Sequence, residues 1–204
     1  MKKIIVGLTG QTGAGKTTVC DYAGTLGCAV VNADRVAREA LSPGSDCLKK
    51  LANFFGYDII DEDGNCKRSL LAQRAFSSRE KTDLLNSITH PWIIRKSREY
   101  IRNYLNKNYD IAIFDAPQLF ESGGDSFCDI IISVVAPEKV RLNRIMGRDG
   151  IDETAAVQRI KAQHDESYYT TRSDYVIDGG ESLESVCTSF LRIYEEIKKH
   201  IEKG

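Results

Sequence analysis

The feature that most constrains this chain is an apolar run that leads through a glycine-rich turn into a helix-like pattern. The run covers residues 4–8, and four residues separate Gly10 from the sequence Gly15-Lys16-Thr17. This spacing is typical of a phosphate-binding P-loop. Its glycines let the backbone curl so that successive N–H groups point at phosphate oxygens, and the following helix presents its positive end to the same anion. The sequence therefore predicts a site for a nucleoside triphosphate.

The residues of this turn have predicted roles that follow from their chemistry. The Lys16 ammonium is expected to reach the β- and γ-phosphates, and the Thr17 hydroxyl is expected to ligate Mg²⁺. An ordinary glycine-rich turn is the alternative, and the strand before it and the helix after it favour the P-loop. The residues predicted to contact the nucleotide here are Gly13, Ala14, Gly15, Lys16, Thr17 and Thr18.

The composition narrows the classes of partner. With 204 residues, the chain is long enough for one large domain with a substantial core. The net charge is −1, so no basic field indicates a nucleic-acid partner. Six cysteines form no C-x-x-C pair and show no metal-ligand spacing with the three histidines, so we interpret them as buried small apolar residues of a reduced, cytosolic protein. The first apolar segment is too short for a signal peptide or a membrane span, so we expect a cytoplasmic protein with no membrane partner.

Short apolar runs alternate with helical patterns along the chain. A strand, the P-loop helix and a second strand form a βαβ unit, whose natural consequence is a parallel sheet. The predicted fold class is α/β, a three-layer αβα sandwich with a five-stranded parallel sheet, a helical substrate-binding insertion and a helical lid. The predicted strands are residues 4–8, 28–31, 111–114, 130–135 and 175–177.

The helical insertion contains two features with local predictions. Pro91 is expected to open a long helix, because proline suits the first helical turn. Residues 57–66 carry Asp63-Gly64 between short apolar pieces, which indicates a small turn or hairpin. We predict one domain over residues 1–204, with a nucleotide-binding core from 1–34, 110–137 and 174–204, a helical acceptor-binding region from 35–109, and a lid from 138–173.

Two acids follow predicted strands. Asp34 comes just after the second strand, and Asp115 comes just after the third. Because the carboxyl ends of parallel strands meet at the rim where ligands bind, both carboxylates are expected to face the phosphates. One acid suits a role as ligand of Mg²⁺ or its waters, and the other suits a role as acceptor of a proton from an attacking hydroxyl. The alternatives are a helix cap for Asp34 and an ordinary loop acid for Asp115.

A stripe of arginines follows the fourth predicted strand. Arg141, Arg144 and Arg148 recur at i, i+3 and i+7, which places them on one face of a helix. Arginines on a mobile element suit the stabilisation of charge on a transferring phosphoryl group, whereas a solvated charged face is the alternative. The position after the fourth strand favours a lid, with Arg148 as its predicted catalytic residue.

Two further segments carry polar signals. His90 precedes Pro91 and is a candidate contact to the acceptor, with helix capping or packing as the alternative. Residues 106–109, Asn-Lys-Asn-Tyr, are similar to a guanine-reading motif, but tyrosine stands where that motif needs a carboxylate. GTP specificity is therefore not predicted.

Together these residues resemble the dephospho-coenzyme A kinase family over nearly the whole chain. The P-loop is common to many families, so the more specific matches are short motifs that follow in the family's order. They are Asn32-Ala33-Asp34, Thr89-His90-Pro91, residues 115–121 (Asp-Ala-Pro-Gln-Leu-Phe-Glu), residues 159–163 and residues 174–178.

The resemblance implies transfer of the ATP γ-phosphoryl group to the ribose 3′-hydroxyl of dephospho-coenzyme A, the final step of coenzyme A biosynthesis. It implies that Asp34 is the general base, that Lys16 and Arg148 contact ATP and stabilise the transferring group, and that Thr17 with Asp115 holds Mg²⁺. The expected partners are the small molecules ATP and dephospho-coenzyme A, with Mg²⁺ as cofactor. We expect a monomer, and an oligomer stays open. The acceptor-binding residues that follow from the resemblance are Asp34, His90 and Gln118.

Three positions depart from that family's pattern. Asn32 replaces the first acid of Asp-Ala-Asp, Gln118 replaces a leucine at a substrate wall, and Gly179 stands where an asparagine usually follows Val-Ile-Asp. The first departure excludes a base or metal ligand at position 32, and the third weakens any adenine contact there. A kinase for another nucleoside or nucleotide stays open as an alternative. A nucleotide-dependent switch, from a different class, is disfavoured by the absent guanine motif.

Overall fold

The computed structural model describes residues 2–203 and confirms the predicted three-layer α/β fold, with helices on both sides of a five-stranded parallel sheet. The strands lie in the order β2-β3-β1-β4-β5, so the strand that carries the P-loop is central. In chain order they are β1 (Ile4–Gly10), β2 (Ala29–Asn32), β3 (Ile111–Asp115), β4 (Ile130–Val135) and β5 (Tyr175–Asp178).

The helices lie between and after these strands. Two short 3-10 turns, Tyr57–Ile59 and Gly124–Phe127, accompany them. The α-helices are α1 (Lys16–Thr25), α2 (Ala33–Ala40), α3 (Asp46–Phe55), α4 (Arg68–Ala75), α5 (Arg79–Asn106), α6 (Glu138–Asp149), α7 (Glu153–Lys161), α8 (Glu166–Thr170) and α9 (Leu183–Lys203).

The central strand β1 is covered on both faces. Its side chains Val6 and Leu8 are fully buried, and it pairs in parallel with β3 and β4. Burial on both faces explains why its sequence is a continuous apolar run rather than an alternating one. The register places Leu8 beside Asp115, so the carboxyl ends of β1 and β3 meet at one edge of the sheet. In open parallel sheets this edge is where ligands bind.

Residue contacts divide the chain into two compact units, each with a core of its own. The first unit takes in the residues up to Val31 and those from Ile101 onwards. Its core is built from the strands, α1 and α9, and includes the fully buried side chains of Leu8, Ile132 and Phe190.

The second unit covers Asn32–Tyr100 and is helical. Its core includes Leu48 and Leu51 of α3 together with Ile59 and Leu71, all of them buried. A chain segment with a separate apolar core has a physical basis for being a structural unit.

Pro91 lies inside α5 rather than at its start, so the prediction that it opens the long helix is wrong. The helix already begins at Arg79 and continues through the proline. Apolar side chains on both sides of Pro91, among them Leu84 and Trp92, pack against the core of the second unit. This packing outweighs the backbone hydrogen bond that proline, lacking an N–H, does not make.

Residues 57–66 form a turn with a single strand-like pair, in agreement with the predicted small turn. Ile60 and Cys66 form an isolated antiparallel bridge. Between them, Asp61 Oδ1 accepts hydrogen bonds from the backbone N–H groups of Asp63 and Asn65, at 3.1 and 2.7 Å. The carboxylate therefore organises the turn that the sequence indicated.

The Asn-Lys-Asn-Tyr segment begins at the end of a helix. Its first residue, Asn106, is the last residue of α5, and Asn108 has a φ of 71°. Asparagine tolerates this left-handed conformation better than most residues, so a role in ending the helix accounts for its presence. Over residues 2–203, none of the helices combines the length and apolar character that crossing a membrane requires.

Candidate active site

The P-loop leaves β1 through backbone conformations that favour glycine. Gly10 has a φ of 133°, and a Cβ added there would lie 2.0 Å from the carbonyl oxygen of Val134 on β4. Gly15, the N-cap of α1, has a φ of 108°. Residues with a Cβ are strained at such values, whereas glycine adopts them readily. The two glycines therefore let the chain curl tightly between the end of β1 and the start of α1.

The Lys16 side chain folds back over this turn. Its Nζ donates hydrogen bonds to the carbonyl oxygens of Gly10, at 2.6 Å, and Gln11, at 3.2 Å. Thr17 is exposed and Thr18 is half-buried in the first turn of α1. An ammonium group beside the N-terminus of a helix forms a site suited to an anion. The nucleotide contacts predicted for the six loop residues remain predictions.

Asp115 lies at the predicted edge of the sheet and is 8% exposed. The N–H of the next residue, Ala116, donates to the carbonyl oxygen of Leu8 at 3.0 Å and holds the end of β3 against β1. The Cys20 thiol on α1 donates a hydrogen bond to the Asp115 carboxylate. Burial, and then the charge of that carboxylate, raise the pKa of the thiol, which stays protonated as a donor. The role of Asp115 as a metal ligand stays a prediction.

Helix α2 is capped by Asn32 and not by Asp34. Asn32 Oδ1 accepts a hydrogen bond from the N–H of Arg35 at 2.9 Å, which is the N-cap contact. Because asparagine caps helices well, the departure at position 32 keeps the cap, and the alternative that Asp34 is the cap is wrong. Asp34 itself lies exposed in the first turn of α2, in the second unit. Its role as general base stays a prediction.

The other two predicted acceptor contacts lie in different elements. His90 is half-buried within α5, in the second unit. Gln118 is exposed in the turn that follows β3, in the first unit. Their contacts to the acceptor stay predictions.

The three arginines of the stripe lie on α6 as predicted, but in different environments. Arg141 is 6% exposed, its Nε donates to the carbonyl oxygen of Ala136 at 3.0 Å, and burial lowers the pKa of its guanidinium. Arg148 donates through Nε and Nη2 to the two carboxylate oxygens of Asp149, at 2.7 and 2.9 Å. Arg159 donates to the same carboxylate. The hydrogen bond from Arg148 contributes most to holding the pKa of Asp149 below its usual value.

The guanidinium of Arg144 binds the P-loop. Its Nη1 lies 3.2 Å from the carbonyl oxygen of Gly13, 3.3 Å from that of Ala14 and 2.8 Å from that of Gly179. One guanidinium nitrogen thus joins α6 to the loop and to the segment after β5.

The sequence model of the dephospho-CoA kinase family matches residues 4–185. The dephospho-CoA kinase of Carboxydothermus hydrogenoformans is 38% identical over 194 residues, which cover 95% of this chain and 94% of that protein. The chain belongs to the dephospho-CoA kinase family. This membership confirms the resemblance drawn from the motifs around Asp34, His90 and Asp115.

Two solved structures share the architecture of this dephospho-CoA kinase family member. The crystal structure of TT1252 from Thermus thermophilus has a TM-score of 0.79 at 26% identity, with 96% of this chain and 98% of that one covered. The dephospho-CoA kinase from Campylobacter jejuni has a TM-score of 0.62 at 23% identity, with 96% and 97% covered. The second likeness is evidence for the fold alone.

Sequence reasoning missed two contacts to the P-loop. Arg144 belonged to the predicted stripe, but Arg148 was selected from it. Gln163 belongs to a motif that matched the family, but no contact was predicted for it. Its Oε1 accepts a hydrogen bond from the Thr12 N–H at 2.8 Å, although the two residues are far apart in sequence. Spacing along a helix identifies a face but does not tell which member of that face reaches a distant loop.

Gly179, one of the three departures from the family pattern, lies too close to the P-loop for a side chain to fit without movement. A Cβ at this buried position would lie 1.8 Å from the carbonyl oxygen of Ala14. We expect Gly179→Ala to weaken ATP binding about tenfold and to lower the free energy of unfolding by about 1–3 kcal/mol, because the P-loop must shift. Titration with ATP and denaturant unfolding measure the two effects.

Gly147→Ala on α6 is the matched control for Gly179→Ala. A Cβ at Gly147 meets nothing within 4 Å. Alanine is also favoured over glycine inside a helix, so we expect ATP affinity to stay at the wild-type value. Equal behaviour of the two variants would contradict the importance of the close approach at Gly179.

Proposed function

We propose that this protein transfers the γ-phosphoryl group of ATP to the ribose 3′-hydroxyl of dephospho-CoA and so forms coenzyme A. The observation that carries the proposal is the family match over residues 4–185, which includes the whole helical second unit and most of the first unit. The P-loop geometry supports the donor half of this reaction. The proposed phosphoryl transfer needs a phosphate site, a proton acceptor and charge stabilisation rather than a covalent intermediate.

The donor half rests on the P-loop. The backbone N–H groups at the start of α1 bind the phosphates, and Lys16 Nζ turns from the carbonyl oxygens of Gly10 and Gln11 towards the phosphate oxygens. Charge-assisted hydrogen bonds from the ammonium to the phosphate oxygens replace those to the two carbonyl oxygens. Lys16 then stabilises the negative charge of the group in transfer.

The cofactor in this proposal is Mg²⁺, held by Thr17 and Asp115. The residues fit this ion, because hydroxyl and carboxylate oxygens are the hard ligands it prefers and because it commonly takes one or two protein oxygens together with phosphates. Thr17 is exposed in the first turn of α1, and Asp115 ends β3 beside β1. When bound, the ion neutralises charge on the β- and γ-phosphates.

The acceptor half rests on Asp34, with His90 and Gln118 as contacts to the acceptor. The Asp34 carboxylate is exposed and is not used as the helix cap, so it is free of the structural duty that would compete with catalysis. As general base it accepts the proton of the 3′-hydroxyl as the oxygen attacks phosphorus.

Arg148 is the proposed lid arginine that stabilises the transferring group. Its guanidinium is largely exposed and is oriented by both oxygens of Asp149. We expect Arg148→Ala to lower kcat more than it lowers ATP affinity, because the charge it stabilises develops in the transition state. Steady-state kinetics together with ATP titration separate the two effects.

Arg192→Ala is the control for Arg148→Ala, since Arg192 is an exposed arginine on α9. We expect this variant to keep the wild-type kcat. A loss of ATP affinity with unchanged kcat in Arg148→Ala would make Arg148 a ground-state binding residue instead.

One assay tests the proposed function. The protein is incubated with ATP, Mg²⁺ and a panel of hydroxyl acceptors, and ADP release is followed. We expect dephospho-CoA to stimulate ADP release well above the rate with water. Stimulation by a nucleoside and not by dephospho-CoA would replace the proposal with a nucleoside kinase. ADP release that no acceptor stimulates would favour a nucleotide-dependent switch.

The proposal also includes the partners and the location. ATP and dephospho-CoA are its small-molecule partners, and the protein acts as a monomer in the cytoplasm. The state of the cysteines supports this location, since all six are free thiols. Free, largely buried thiols are typical of proteins from reducing compartments.

A further inference from the structure

One backbone N–H of the P-loop is bound by a side chain from a distant part of the chain. Gln163 lies just after α7, and its Oε1 accepts a hydrogen bond from the N–H of Thr12 at 2.8 Å. Thr12 lies between Gly10 and Gly13, two glycines with positive φ. A backbone N–H in such a turn has no partner in a regular element, so it needs an acceptor from elsewhere.

The backbone of Gln163 is fixed from the α7 side. Its own N–H donates to the carbonyl oxygen of Ile160 at 3.1 Å. Ile160 packs with Ile145 of α6 and Ala156 of α7 in a small buried cluster. The glutamine therefore follows directly from a packed segment rather than from a loose loop.

The next residue is also anchored. The His164 ring stacks on the Tyr168 ring, with centroids 3.7 Å apart, and its Nε2 lies 3.5 Å from Glu121 Oε1. The Arg172 guanidinium lies over the same tyrosine ring, 4.2 Å from its centroid. Since the chain is held on both sides of Gln163, little backbone entropy is lost when its side chain binds the loop.

A side chain of α6 also binds the P-loop. Arg144 Nη1 binds the carbonyl oxygens of Gly13 and Ala14. Gln163 accepts a hydrogen bond from the Thr12 N–H, and Arg144 donates to the carbonyl oxygens of the next two residues, Gly13 and Ala14. Together the two side chains fix the orientation of three peptide units within the loop, which is what a phosphate-binding loop requires before its ligand arrives.

We propose that Gln163 is a positioning residue for the P-loop: its side-chain oxygen holds the Thr12 N–H so that the loop is organised for the triphosphate. It links the segment over residues 138–173 to the loop without contacting the reacting atoms. For turnover this inference rests on the proposed function, but for ATP binding it depends only on the P-loop.

Gln163→Met is the test, because methionine is similar in size and lacks the acceptor. We expect it to weaken ATP binding about tenfold, the size of one lost hydrogen bond, with kcat at saturating ATP within about twofold of wild type. Gln158→Met on α7 makes the same chemical change at an exposed position and should leave ATP binding unchanged. Calorimetric titration with MgATP and steady-state kinetics give the two quantities.

Amide hydrogen exchange gives a readout that does not depend on activity. Without nucleotide, exchange at Thr12 should be faster in Gln163→Met than in wild type. Gln163→Glu keeps an acceptor oxygen at the same reach and should restore slow exchange. If Gln163→Met does not fold, Gln163→Asn replaces it, since its shorter side chain also loses the contact.

Three results would overturn the proposal. ATP binding within twofold of wild type in Gln163→Met would show that the contact positions nothing. Tighter ATP binding would show that Gln163 competes with the nucleotide. Unchanged Thr12 exchange would show that the hydrogen bond does not hold the loop. If wild type binds ATP but does not phosphorylate dephospho-CoA, the proposed function fails, while the comparison of ATP binding among variants still decides the role of Gln163.

Discussion

Asp34→Asn is expected to lower kcat by about 10²- to 10⁴-fold while ATP binding stays nearly intact. The amide keeps the size of the carboxylate but cannot take the proton of the attacking 3′-hydroxyl. Because Asn32 caps α2, the substitution leaves the helix cap in place. It removes only a favourable charge in the first turn, which costs less than about 1 kcal/mol of stability. Single-turnover kinetics at saturating substrates measure the chemical step directly.

Asp46→Asn supplies the matched control for Asp34→Asn. Asp46 is also exposed, also lies in the first turn of a helix, and belongs to the same unit. We expect this variant to keep the wild-type kcat with a similar small change in stability. If both variants keep wild-type turnover, Asp34 is a helix-dipole residue and not the base.

The sheet could be predicted from the sequence because strands buried on both faces are continuous apolar runs. Each of the five strands was found near its predicted position, and β4 matched at Ile130 and Val135. The P-loop could be predicted for a related reason. Its strained turn needs glycine at positions such as Gly10, and that requirement is local to the sequence.

The remaining elements depend on contacts that a local pattern does not contain. Pro91 carries a strong signal for a helix start, but the packing of Leu84 and Trp92 in one core keeps the helix continuous across it. Helix α8 was not predicted, since Glu166–Thr170 is too short for a periodic pattern to emerge. Tertiary packing decided both cases.

The candidate site divides in the same way. Lys16 and Asp115 could be placed from the motif and from strand ends, because both signals are local. The contacts of Arg144 and Gln163 to the loop could not, since each depends on how a distant helix packs. Asn32 was read as a lost acid, and only the hydrogen bond to the Arg35 N–H showed that it caps α2.

Lys16→Met is expected to lower kcat by about 10²- to 10³-fold and to weaken ATP binding as well. The lysine ammonium stabilises the negative charge of the phosphoryl group in the transition state. Methionine keeps the apolar stem of lysine without that positive charge. The carbonyl oxygens of Gly10 and Gln11 belong to buried residues and lose a donor. The free energy of unfolding should therefore fall by about 1–3 kcal/mol.

Lys139→Met separates the position of this charge from its presence. Lys139 is an exposed lysine on α6, so its loss changes the net charge equally and should leave kcat at the wild-type value. Raising the ionic strength should not mimic Lys16→Met, because a charge in direct contact with phosphate is screened much less than a distant one. If Lys16→Met keeps kcat within about threefold of wild type, Lys16 does not stabilise the transferring group, and the proposed mechanism has to be rebuilt around the loop amides and Arg148.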